Sequence, residues 1–351
     1  MSRYDVPRSA LGELLPGEPS YRVDQLWDGM YKRLLMPAEL TDLPRELRAR
    51  LAHEPALACA FSMRTESVSD AGATRKWLLV AADGTGVEVV LMRYRERVTA
   101  CVSSQAGCAM GCGFCATGQA GYSRQLSVGE IVEQVVHAGR ACRELGWGRL
   151  SNVVMMGMGE PLANYRSVLG AVRTWNEHMG IGARSTTIST VGIVPGILRL
   201  AGEPLQVNLA VSLHAANDEL RSELVPINKR YPLTELMAAC SRYVEATRRR
   251  ISFEWACISG VNDRQSDAEE LADRALPLRA HVNLIPLNPT PGYLVAGSPL
   301  RRVKEFRDEL VRGGVNATIR HTRGRDVNGA CGQLAGATAA APEMTGAEQL
   351  A

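Results

Sequence analysis

The chain has 351 residues, 46% of them hydrophobic and 22% charged, and a net charge of +3. These values lie near the average for soluble globular proteins and exclude a disordered, collagenous or simple coiled-coil chain. At roughly 150 residues per domain, the length suits one large α/β domain of about 200 to 250 residues with a smaller appendage.

Met1-Ser2-Arg3-Tyr4-Asp5-Val6-Pro7 opens the chain without the apolar segment of a signal peptide. No later stretch approaches the roughly 18 to 20 apolar residues of a membrane helix. A cytoplasmic protein is expected. Residues 1 to 75 read as short helices, one opening at Tyr21-Arg22-Val23-Asp24 and another around Leu43–Arg48, where Pro44 suits a first turn. From Lys76 the pattern alternates. Trp77-Leu78-Leu79-Val80 and Val87-Glu88-Val89-Val90-Leu91 flank Asp83-Gly84-Thr85-Gly86, which predicts a β-hairpin, taken as a linker over 76–97.

From residue 98, apolar strand-like runs alternate with helical patterns. Strands are expected at 99–103, 152–156, 185–190, 207–213, 251–258 and 282–287. The first long amphipathic helix, 128–145, starts with a capping box of Ser127 and Glu130. Strand then helix, six times over, predicts a buried parallel sheet: an α/β fold with a partial (β/α)6 barrel over 98–322. A last helix over 300–312 and a strand over 317–321 precede the Gly-rich loop of Cys331, within a C-terminal region 323–351. The tail after Leu334, rich in Ala, Gly, Thr and Pro, is expected to be disordered.

Nine cysteines in a cytosolic chain, an odd number, favour metal or catalytic thiols over a disulfide scaffold. Cys59, Cys142, Cys240 and Cys257 sit in apolar runs and read as small buried hydrophobes. Cys108, Cys112 and Cys115 follow the first barrel strand on a loop containing Gly111, Gly113 and Gly118. Three thiolates so spaced can wrap one face of a [4Fe–4S] cube and leave one iron open. The alternative is a structural zinc site with Cys101 as fourth ligand. Gly157 and Gly159 follow the second strand, but the third position of a dinucleotide fingerprint is Leu162, so that motif fails.

C-x₃-C-x₂-C after the first strand of an α/β barrel resembles the radical S-adenosylmethionine (SAM) superfamily. Further segments narrow the resemblance: Met156-Gly157-Met158-Gly159-Glu160-Pro161-Leu162, Thr187–Gly192, Ser212-Leu213-His214, Asn283–Pro289, Cys331-Gly332-Gln333-Leu334 and Cys101-Val102-Ser103-Ser104-Gln105. Together they are similar to the RlmN/Cfr adenosine methyltransferases, and to the RlmN branch in particular.

The resemblance implies one [4Fe–4S] cluster per chain on Cys108, Cys112 and Cys115, and two SAM molecules per turnover. It makes Gly159, Glu160, Ser189, Ser212, Leu213, His214 and Asn288 SAM contacts, with Gly159 and Glu160 at the methionyl amine. It makes Cys331 the acceptor of a methyl group, Cys101 its partner in a transient disulfide, and Glu88 a proton acceptor. The glycines beside Cys331 lead us to expect a reachable, mobile thiol, ionised with the help of Arg323 and Arg325. The implied reaction is methylation of carbon 2 of adenosine in 23S rRNA, at the peptidyl-transferase centre, and in tRNA, 3′ of the anticodon. An electron donor such as flavodoxin or ferredoxin is implied as partner; a monomer with no membrane association is expected.

Of the 40 basic residues 36 are arginine. Codon usage explains such an excess, so only local clusters point to phosphate contact: Arg93–Arg97, Arg301-Arg302-Val303-Lys304 and Arg320–Arg325. The small N-terminal helical region is a plausible RNA-docking surface. Three alternatives stay open: methylation of carbon 8 as in Cfr resistance enzymes, a radical SAM enzyme of a small molecule, and a zinc-containing RNA-binding protein.

Overall fold

The structure, a computed structural model, describes residues 2–336. The tail expected to be disordered lies, from residue 337 on, outside the described residues. Three helices, α1 (Arg8–Leu11), α2 (Tyr21–Tyr31) and α3 (Arg45–Ala52), open the chain. Pro44 stands as the N-cap of α3, one residue before the first turn. Leu11, Leu26, Met30, Leu40 and Leu51 from this region join the same hydrophobic core as the barrel helices. Asp5 also reaches the barrel, accepting hydrogen bonds from Ser127 Oγ (2.8 Å) and Gly129 N (2.7 Å).

The helical reading of the first 75 residues fails after about residue 57. Phe61–Ser69 forms a strand, β1, antiparallel to β2 (Thr74–Ala81), which pairs with β3 (Gly86–Arg93). The hairpin is continuous with the barrel, because β3 pairs antiparallel with β4 (Val98–Cys101), Val90 opposite Cys101. After β4 come the short β5 (Gln105–Gly107), α4 (Ala116–Ala120) and β6 (Tyr122–Gln125), β5 and β6 forming a separate ribbon.

Strand and helix then alternate. The order is α5 (Val128–Glu144), β7 (Asn152–Met155), α6 (Tyr165–His178), β8 (Thr186–Thr190), α7 (Val194–Ala201) and β9 (Asn208–Ser212). There follow α8 (Asp218–Leu224), α9 (Leu233–Thr247), β10 (Ser252–Cys257), α10 (Gln265–Ala275), β11 (His281–Pro286), α11 (Leu300–Arg312) and β12 (Asn316–Ile319). The ten-stranded sheet runs β1-β2-β3-β4-β7-β8-β9-β10-β11-β12, parallel from β4 onward. Strands buried on both faces read as near-continuous apolar runs, which is why the sequence located them within one or two residues. The capping box forms as expected: Glu130 N donates to Ser127 Oγ (3.1 Å) and Ser127 N to Glu130 Oε2 (2.8 Å). Among the described residues, no helix is long and apolar enough to cross a membrane.

Candidate active site

In a parallel barrel, the loops after the C-terminal strand ends gather at one face. There a cavity is lined by Cys108, Cys112, Cys115, Gly159, Glu160, Ser189, Ser212, His214, Asn288 and Cys331. Of the expected site residues, only Cys101, Glu88 and Leu213 are missing from this lining.

The cluster loop joins β5 to α4. Cys108 N donates to Gly121 O (2.7 Å), and Phe114 packs edge-on against the His214 ring at 4.9 Å. A second, small apolar core of Cys112, Phe114, Ala215, Ala256, Ile258 and Leu287 supports the loop from below. Burial, and then the neighbouring thiols, push Cys112 up and Cys108 up to about 11. Cationic iron between three such thiols would relieve that penalty, so the donor set fits a cluster. Among the described residues, no three His, Cys, Asp or Glu side chains close on a single-ion site. A cube asks each thiolate for a different iron, which suits that spacing better than one zinc. The fourth zinc ligand considered, Cys101, lines a different cavity.

Glu160 follows Gly159, whose φ of +97° and close approach to Gln105 leave no room for a side chain. Its backbone N donates to Gln105 Oε1 (2.7 Å), and its carboxylate accepts from Leu162 N (3.0 Å) and Val191 N (2.8 Å). No cation pairs with it among the described residues, and burial lifts it to about 7 despite those two donors. Glu254, on β10, lines the same cavity; its buried Oε2 has no hydrogen bond and lies 3.6 Å from Arg320 Nη1. Two buried carboxyl groups facing one cavity suit a ligand bearing an ammonium and hydroxyls, which are the polar groups of SAM.

His214 accepts a hydrogen bond from Ala256 N at Nδ1 (3.0 Å), which leaves its proton on Nε2. Burial, then Arg221, push it down to about 3, so it is a neutral donor. Leu213 lies in the core with its N–H bound to Glu254 O and its carbonyl to Arg221, so its side chain does not face the cavity.

Cys331 is strapped, contrary to the mobility expected of a Gly-rich loop. Asn288 Nδ2 donates to its carbonyl (3.1 Å), Ala116 N to Gly332 O (2.7 Å), and Gln333 Nε2 to Pro289 O (3.2 Å). Thr117 Oγ1 donates to Leu334 O, and Ala335 N to Glu88 Oε2 (2.8 Å). Glu88 also pairs with Lys76 Nζ (2.7 Å) and borders no part of the cavity. The structure therefore brings Glu88 to the strap rather than to the thiols.

Cys331 lines a second, smaller cavity together with Cys101, Arg320, Tyr94 and Met156. Burial and then Cys331 push the Cys101 thiol up to about 12, with Arg320 acting in the other direction. Cys331 most, then Glu254 and Cys101, raise Arg320 in turn. Arg323, stacked over Tyr94 at 5.0 Å, lines this cavity too, whereas Arg325 donates to Asn288 Oδ1 (3.2 Å); the cation that acts on the Cys101 thiol is Arg320. Read as a phosphate contact from its basic run, Arg320 points inward because β12 places it: its N donates to Leu284 O (2.8 Å). Glu254 was missed too, though an acid inside an apolar strand is a legible signal. Cys142, Cys240 and Cys257 are buried as expected, whereas Cys59 is exposed and accepts from Arg3 (2.7 Å).

Comparison with known proteins agrees with this arrangement. The radical SAM superfamily model matches residues 102–275. A Frankia casuarinae protein named as a dual-specificity RNA methyltransferase, RlmN, is 52% identical over 94% of this chain and 80% of its own length. A Chloroflexus aurantiacus protein of the same name is 50% identical over 95% and 92%. The crystal structure of a radical SAM methyltransferase from Sphaerobacter thermophilus superposes with a TM-score of 0.90 at 49% identity, covering 95% of this chain and 99% of the other. The chain belongs to the RlmN family of RNA methyltransferases, within the radical SAM superfamily.

Proposed function

We propose that this radical SAM RNA methyltransferase adds a methyl group to carbon 2 of adenosine, in 23S rRNA at the peptidyl-transferase centre and in tRNA 3′ of the anticodon. Cys331 would carry the one-carbon unit. The observation behind this reading is that Cys331 borders both the cavity of the cluster cysteines and the cavity of Cys101 and Arg320. Bound together, the cluster and SAM supply an electron and a 5′-deoxyadenosyl radical, which such an unreactive carbon needs.

Cys108, Cys112 and Cys115 would hold one cluster per chain. Glu160 would take the SAM ammonium, with Ser189, Ser212, His214 and Asn288 around it. As nucleophile, the Cys331 thiolate would accept a methyl group from a first SAM, with the Arg320 guanidinium beside the sulfur. A base joined to Cys331 through its methylene carbon is released only when a second sulfur attacks Cys331. Cys101, across the small cavity, would be that sulfur: as the disulfide forms the sulfur–carbon bond breaks, its electron pair leaves with the base, and a proton completes the methyl group. Glu88 as proton acceptor would require the strap to open. Flavodoxin or ferredoxin as reductant, a second SAM per turnover, a monomeric state, a cytoplasmic setting and RNA docking by residues 1–75 complete the proposal.

The test is chemical. RNA from cells with and without the gene is digested, and the methylated nucleoside is compared with 2- and 8-methyladenosine standards by chromatography and mass spectrometry. 2-Methyladenosine in both RNAs is expected; 8-methyladenosine, or no difference, overturns the proposal.

A further inference from the structure

Beside the barrel mouth runs a groove of about 1200 Å³, between the loop after β11, helix α11 and β12. Its inner end is formed by Leu287 and Arg320, which also line the cavity of Cys331. The outer lining includes Lys304, Arg307, His321 and Arg325 and, among the described residues, contains no Asp or Glu. On a chain whose basic and acidic residues nearly balance, at 40 and 37, such a one-signed lining is a local feature. Among the described residues, Lys304 and Arg325 have no ion pair, and Arg307 pairs only with its neighbour Asp308.

The groove is also preformed. Gln119, in the helix after the cluster loop, donates to Thr290 Oγ1 (2.9 Å) and accepts from Gly292 N (3.1 Å). At the other end, Ser298 Oγ donates to Asp263 (2.7 Å) and Ser259 N to Ala296 O (3.0 Å). Between these anchors Leu294 stands 97% exposed, an apolar side chain with nothing among the described residues to cover it. The opposite wall, β12, is the last strand of the sheet, so one edge of its backbone is unpaired among the described residues.

We propose that this groove holds single-stranded RNA flanking the target adenosine, a reading that rests on the RNA methyltransferase activity. Phosphates lie on Lys304, Arg307 and Arg325, while unstacked bases meet Tyr293, Leu294 and His321. The splayed adenosine then passes Leu287 and Arg320 to reach Cys331. An acidic protein reductant is the rival occupant, but it needs the cluster, and none of the three cluster cysteines lines the groove.

The experiment uses reconstituted full-length enzyme and a radiolabelled RNA hairpin with an adenosine in its loop, comparing the parent with Lys304→Ala/Arg307→Ala. Iron content and melting temperature check that the variant folds. The variant is expected to bind RNA at least tenfold more weakly, with log affinity less steep in log salt by about 1.4 for two lost phosphate contacts. Parent-like affinity and slope, within twofold, overturn the groove while leaving the RNA reading intact. A parent that neither binds nor methylates RNA overturns the RNA reading itself. If the variant turns over normally with dithionite and fails only with reduced flavodoxin, the groove belongs to the reductant and the inference falls.

Discussion

Glu160 offers the sharpest test, because in the proposed site one side chain would govern stability and cofactor affinity in opposite senses. Its carboxyl is pushed by burial from an ordinary value of 4.5 to about 7. A raised carboxyl pKa means that, as pH rises from 4.5, the unfolded chain ionises while the folded chain still holds its proton. Stability therefore falls with pH through that window and levels off above 7. Worked from those two values, the penalty is about 1 kcal/mol at pH 5 and about 3 kcal/mol at pH 8. Glu160→Gln cannot ionise. The stability of the variant relative to the parent should thus improve by about 2 kcal/mol between pH 5 and pH 8, or about 3 °C in melting temperature for a chain of 351 residues. Comparing the two pH values cancels the constant loss of a backbone hydrogen bond to Val191 or Leu162. SAM affinity should move the other way, 10- to 150-fold weaker, as expected for a lost charge-assisted hydrogen bond of about 1.5 to 3 kcal/mol. Urea melts of cofactor-free protein and calorimetric SAM titration of reconstituted protein read the two effects. Parallel pH profiles, or parent-like SAM affinity in the variant, would refute the reasoning.

Replacing Cys108, Cys112 and Cys115 together by Ala should abolish cluster assembly, measured as iron and sulfide after anaerobic reconstitution; a retained full cluster would remove the cluster assignment. Cys101→Ala should keep its iron and accumulate a nuclease-sensitive protein–RNA adduct on a denaturing gel, lost again when Cys331 is also replaced. Normal turnover by Cys101→Ala would make that thiol a bystander. Glu88→Gln leaves Lys76 without its anion, so protease cleavage after residue 329 should quicken severalfold; cleavage at the parent rate would mean that Glu88 does not hold the strap.

What the sequence shows depends on how local the cause is. Apolar runs and the Ser127–Glu130 capping box act within a few residues, and both emerge where expected. Strand β1 was invisible because eight of the nine residues from Phe61 to Ser69 are exposed or half-buried, leaving no alternation; pairing with β2 is what extends it. Arg320, Arg323 and Arg325 look alike in sequence. Only the register of β12 on β11 decides that Arg320 faces the thiols while the other two contact Tyr94 and Asn288. The Cys331 loop misled for a related reason. Its glycines are local, but its restraints come from Glu88, Ala116, Thr117, Asn288 and Pro289, up to 247 positions away.

Those restraints bear on how one thiol can serve two partners. Five hydrogen bonds, each contributing about 1 kcal/mol, hold the strap at Cys331 and at the four residues after it, four of them through the backbone. A backbone held that firmly leaves the sulfur mainly its own χ1 rotation, whose staggered wells are separate positions. The residue already borders both cavities: one with Glu160 and the cluster cysteines, the other with Cys101. Arg320 borders both as well, so its charge accompanies the sulfur at either end of the rotation. A fixed strap, a rotating thiol and a shared cation would let methyl acceptance and product release occur within a side chain's length, without opening the barrel mouth between them.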